Sequence, residues 1–66
     1  MTLTRTLNRE LAASALKEYD WSARYLRCAK FSRRHGMRET ARRYLRLCRA
    51  ALVRAEELLY AAEAGS

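Results

Sequence analysis

Sixty-six residues leave room for one domain, 1–66, and half of them are hydrophobic, which excludes a chain left unfolded for want of apolar material. Proline is absent, glycine occurs only at Gly36 and Gly65, and apart from Val53 and the threonines no β-branched residue interrupts a background of alanine and leucine. That composition is the profile of a helix former. Fourteen basic residues against seven acidic give a net charge of +7, and no apolar run approaches the ~18 residues of a membrane span, so no membrane partner is expected.

The first ten residues lack the uninterrupted apolar segment of a signal peptide, so a cytoplasmic location is expected, with Cys28 and Cys48 as free thiols. Thr2, Thr4 and Thr6 each offer a hydroxyl to cap a first helix, predicted over about residues 3–34. At ~100° per residue one face of it gathers Leu7, Leu11, Ala12, Ala15, Leu16, Tyr19, Ala23, Leu26 and Ala29. Arg9, Lys17, Asp20, Arg24 and Arg27 take the opposite face. The helix should break at His35-Gly36, where glycine accepts the left-handed conformation that ends a helix.

A second helix is predicted over about residues 37–64, with Glu39 placed to suit its dipole and Gly65 to end it. Here Met37, Ala41, Tyr44, Cys48, Ala51, Ala55, Leu58 and Ala62 alternate spacings of four and three, the a/d pattern of a heptad seam. If the chain folds at residues 35–36, positions summing to about 71 face one another. Ala23 then meets Cys48, Tyr19 meets Ala51 and Leu52, Leu16 meets Ala55, and Ala12 meets Leu58 and Leu59. Large faces small in most layers, as interdigitated packing requires. The expected fold is all-α, an antiparallel two-helix hairpin.

Two helices cannot enclose a core, and chains below roughly 70–80 residues lean on a staple or on a partner. Leu45, Leu47 and Leu52 flank the seam of the second helix, and Leu11, Ala15, Ser22 and Ala29 that of the first. A homodimer forming a four-helix bundle would bury these flanks. Leu16, Tyr19, Leu26, Tyr44, Cys48, Ala51, Ala55 and Leu58 are the residues expected in the hairpin or dimer seams.

The charge is unevenly placed. Residues 24–46 hold nine basic groups, Arg24, Arg27, Lys30, Arg33, Arg34, Arg38, Arg42, Arg43 and Arg46, against Glu39 alone. Residues 1–20 balance three against three, and the segment after 46 carries Arg49 and Arg54 against Glu56, Glu57 and Glu63. A hairpin would therefore carry a basic tip, with Arg27, Lys30, Arg33, Arg34, Arg38, Arg42 and Arg46 prominent in it. Local rules oppose this layout. The dipole prefers cations at a helix end, yet the second helix has them at its start, and Arg38, Arg42 and Arg46 form a ladder of like charges at i,i+4. Charge that costs local stability points to intermolecular contact; a solvated arginine-rich face is the plainer alternative.

Trp21, Phe31, Val53 and Tyr60 fall off the hairpin stripe. Trp21, Tyr25 and Cys28, at i, i+4 and i+7, form a second apolar stripe that Leu3 and Leu7 extend. With Arg24 beside them they are the candidate partner-binding residues, since tryptophan, tyrosine and arginine are frequent interface anchors. The same stripe would equally serve a homodimer. Phe31 and Tyr60 read as isolated exposed apolar residues.

Catalytic chemistry is not expected. The lone histidine, His35, falls in the turn, where capping or exposure is its natural role. No C-x-x-C, E-x-x-H or H-E-x-x-H spacing suggests a metal site, Cys48 reads as a small core residue, acidic residues are few, and no glycine-rich phosphate loop is present, so neither cofactor nor metal is expected. The architecture is similar to that of plasmid RNA-binding hairpin dimers and of short type III secretion co-chaperones, without shared residue patterns. The tetratricopeptide pattern fails where Tyr25 stands four residues after Trp21. The expected function is that of a small non-enzymatic regulator, adaptor or inhibitor. It would act as a hairpin homodimer on a protein with an acidic or apolar surface, as phage and mobile-element proteins do on host proteins. The alternative is nucleic-acid binding through the basic tip.

Overall fold

A computed structural model describes residues 8–64, which form two helices, α1 (Arg9–Arg34) and α2 (Arg38–Ala64), packed against each other as a hairpin. The expectations placed on Thr2, Thr4, Thr6, Leu3, Leu7 and Gly65 lie outside the described residues.

The start of α1 differs from the expected position near residue 3. Asn8 is the cap: its backbone is extended (φ −68°, ψ 105°), and its side-chain oxygen accepts from the N–H groups of Glu10 at 3.1 Å and Leu11 at 3.2 Å. A short carboxamide reaches two otherwise orphaned donors, which is why asparagine ranks with the best caps. The Asn8 N–H also donates to the Ala62 carbonyl at 3.3 Å, tying the open end of the hairpin across both helices.

The break falls where glycine predicts it. His35 caps α1, and Gly36 has φ 74°, the only positive φ among the described residues. The Gly36 N–H donates to the Arg33 carbonyl at 3.2 Å and the Met37 N–H to the Ser32 carbonyl at 2.8 Å. These two bonds are the Schellman closure of a helix end. The first bond of α2 follows immediately, from the Ala41 N–H to the Met37 carbonyl at 3.0 Å. The reversal therefore takes three residues.

The contact between the helices is built from small side chains. Ala15, Ser22, Ala29 and Ser32 are buried on α1, and Ala41, Cys48, Ala51, Ala55 and Ala62 on α2. Positions 15, 22 and 29, and 41, 48, 55 and 62, recur every seven residues, the period of a coiled coil. No large side chain is fully buried among the described residues. The hydroxyl of Ser22 is satisfied locally by donating to the Tyr19 carbonyl at 2.7 Å, the usual device for a buried serine in a helix. Along the rod the expected register holds: the Asn8–Ala62 bond, the Arg54–Glu18 ion pair and the Tyr25–Tyr44 stack join positions summing to 70, 72 and 69.

Around its axis, α1 is set differently. The seam of α2 lies where its heptad predicts, with Tyr44 and Leu58 half-buried between the buried small residues, although Met37 at its start is exposed. On α1 only part of the expected stripe faces α2. Leu16 is 68% exposed, Leu26 and Ala23 are also exposed, and Tyr19 is half-buried. Ala15 and Ala29, expected on both the stripe and its flank, face α2 together with Ser22 of the flank. Small residues win because they let two backbones close along the whole length, whereas leucines at those positions would hold the helices apart.

Two stability measurements check this setting. Ala15→Leu, at a position with no accessible surface, is expected to lower the denaturation free energy by about 1–3 kcal/mol through overpacking. Ala23→Leu, which the expected stripe would place in the seam, is expected to change it by less than about 0.5 kcal/mol. Gly36→Ala meets no neighbour within 4 Å, yet the left-handed backbone should still make it cost about 1–2 kcal/mol in a thermal melt followed by circular dichroism.

Candidate interaction surfaces

With the small residues inside, the bulky ones line the two long sides of the rod, and these sides are chemically distinct. On one side the aromatics gather. Trp21 stacks on Tyr25 with ring centroids 5.7 Å apart, and Tyr25 stacks across the hairpin on Tyr44 at 6.4 Å. The Arg24 guanidinium lies over the Trp21 ring, 5.2 Å from its centroid, and pairs with Asp20 at 3.1 Å. Asp20 thus holds the cation in place above the indole, an arrangement in which ring quadrupole and charge attract. Trp21 remains 47% exposed. Nearby, Arg54 of α2 reaches Glu18 of α1 at 2.9 Å.

Beyond Tyr44 the aromatic row runs into a cleft of ≈ 460 Å³ lined by Arg27, Cys28, Phe31, Ser32, Met37, Thr40 and Tyr44. Its walls are apolar, with Arg27 as the one cation. Phe31 is not the isolated residue that its sequence position suggests: it lies against the His35 ring, centroids 4.2 Å apart, and lines the cleft with Met37. Cys28 is a half-buried free thiol in this wall, and Cys48 a free thiol buried in the seam.

Of the candidate partner-binding residues, Trp21, Arg24 and Tyr25 come together directly, while Cys28 joins the adjoining cleft. Tyr44, Phe31 and Met37 belong to the same surface and were not legible as such. The spacing of Trp21, Tyr25 and Cys28 marks one helix, but the residues that complete the surface come from the turn and from α2. The pairing sum of 69 for Tyr25 and Tyr44 is the one signal that points to them.

The opposite long side is aliphatic. Leu26 and Leu45, and Tyr19 and Leu52, sit at matching levels of the hairpin, with Leu16 further along. Toward the turn this side passes into a shallow notch lined by Arg33, Arg38, Ala41, Arg42 and Leu45, and a second lined by Arg42, Leu45, Arg46 and Arg49. Arg27, Lys30, Arg33, Arg34, Arg38, Arg42 and Arg46 are all exposed. Among the described residues the ion pairs fall elsewhere, at Arg24 and Arg54, so the basic tip keeps its charge facing water. Tyr60 and Val53 point outward, away from both helices' contact.

Among the described residues no three His, Cys, Asp or Glu side chains come together as a metal site, and no helix is long and apolar enough to cross a membrane. Comparison with protein-family models, curated proteins and solved structures finds no match to this chain.

A double-mutant cycle tests the aromatic row. Tyr25→Leu and Tyr44→Leu, singly and together, should give a coupling of about 0.5–1.5 kcal/mol in chemical denaturation, because the stack is lost once whichever partner is removed. Additive effects within about 0.3 kcal/mol would mean that the rings do not stack in solution.

Proposed function

We propose that this chain is a small non-enzymatic regulator, adaptor or inhibitor that captures another protein on its aromatic side while working as a homodimer. A single observation carries the reading. Trp21 is half-exposed, yet held rigid by Tyr25 beneath it and by Arg24 above it, next to an open apolar cleft. A pre-ordered aromatic with a charged neighbour loses little conformational freedom on binding, which is the property of an interface hot spot. The cleft suits an apolar side chain, and Arg27 and Arg24 suit a carboxylate beside it. The partner's surface is accordingly apolar with acidic groups around it. No cofactor or metal enters this mechanism, and the intracellular setting it assumes, together with an origin in a phage or mobile element, is part of the proposal.

The second reading, nucleic-acid binding, has its own observation in the exposed arginines of the turn end. Affinity for phosphates would come from that tip and fall steeply with salt.

Capture from nuclease-treated extract of the native host, followed by binding measurements on the purified partner, separates the two. Trp21→Ala is expected to weaken the partner complex by more than about 2 kcal/mol, roughly thirtyfold, with helicity unchanged. Equal retention by wild type and Trp21→Ala would sink the protein-binding reading at this surface. Retention of DNA or RNA in a low-salt shift assay, lost in Arg38→Glu/Arg42→Glu, would establish the nucleic-acid reading instead.

A further inference from the structure

We infer that the aliphatic side of the rod packs against the same side of a second copy running in the opposite direction, so that each basic tip lies against the other copy's open end. The inference deepens the homodimer proposed above by assigning its face and its direction.

The face follows from exposure. Leu16, Leu26 and Leu45 project from one side of the hairpin and are 68%, 39% and 45% exposed. Leu16 and Leu26 belong to α1 and Leu45 to α2, so both helices contribute to this apolar side. Full burial of one leucine contributes about 1.5–3 kcal/mol, whereas the seam of alanines and serines contributes much less per residue. The aromatic side also exposes Trp21 and Phe31, and the leucine side is assigned to self-association because the basic and then acidic residues of α2 border it.

The direction follows from charge. The rim of α2 on the aliphatic side carries Arg42 and Arg49 toward the turn, then Glu56 and Glu63 toward the open end, each seven residues after the last. In an antiparallel arrangement with Leu52 near the twofold axis, positions summing to about 105 meet. Arg49 then lies beside the second copy's Glu56, twice over by symmetry. The last turn of α2 contains no basic residue, and the partial negative charge of its carbonyl end favours a cation beside it. Antiparallel packing brings that end to the notch of Arg33, Arg38 and Arg42. The parallel alternative would set two basic tips of nine cations each side by side. The reversed dipole pattern of α2 and its ladder of arginines, unfavourable within one chain, are complemented across two.

The test is sedimentation equilibrium of the full chain at micromolar concentration, with helicity followed by circular dichroism. Wild type should sediment as a dimer. Arg49→Glu, an exposed change, should raise the dimer dissociation constant on the order of tenfold by setting four carboxylates in two facing pairs. Arg49→Glu/Glu56→Arg should restore it. Residues 49 and 56 are seven apart on one helix, so rescue cannot come from an intrachain pair. A dimer insensitive to Arg49→Glu, or one that the double exchange fails to rescue, overturns the arrangement. So does a folded monomer. Trp21→Ala should leave the dimer intact; dissociation would move self-association to the aromatic side and also defeat the inference. A monomer that still loses its protein partner on Trp21→Ala would overturn this dimer while leaving the partner-binding reading standing.

Discussion

Everything in this hairpin depends on how closely two helix backbones approach when the side chains between them are alanine, serine and cysteine. With such residues every seventh position, the helices lie against each other, and no large side chain is fully buried between them among the described residues. The leucines and aromatics are displaced to the two long sides as a direct consequence. A helix pair held apart by leucines would have buried them and presented only polar faces. Close approach instead leaves Leu16, Leu26, Leu45 and Trp21 exposed on the outside of the rod.

The displaced residues are sorted rather than scattered. One side collects rings that stack on each other and on a guanidinium, with a cleft at the turn end. The other collects leucines and passes into arginine-lined notches. Two chemically different surfaces on one thin rod allow two different contacts at once, which a single apolar stripe could not provide. The basic turn end adds a direction to the rod, since its two ends differ in charge.

How much of this could be read in advance differs between the helices, for a physical reason. The second helix spaces its seam residues by alternating fours and threes, so its buried face was legible. In the first helix hydrophobicity misleads. Leu16, Tyr19 and Leu26 outweigh Ala15, Ser22 and Ala29 on any transfer scale, yet contact is decided by how closely the backbones pass, and two of the seam positions, Ser22 and Ser32, are polar. The turn was legible because Gly36 alone accepts its backbone, while the cap at Asn8 was hidden behind three threonines upstream. Trp21, Arg24 and Tyr25 could be grouped from helical spacing, but Tyr44, Phe31 and Met37 join them only once the chain has folded back.

The short closure at His35-Gly36-Met37 has a consequence for alternative states of the molecule. A seam repeating every seven residues is close to self-similar, and sliding one helix by a heptad, about 10.5 Å, would bury much the same set of small side chains. Packing alone therefore distinguishes poorly between neighbouring alignments. A reversal of three residues leaves no slack for such a slip, and the Asn8–Ala62 bond pins the far end. The turn acts as a vernier: it selects one alignment from several that the seam would tolerate, and through it the levels at which Tyr25 meets Tyr44 and Leu26 meets Leu45.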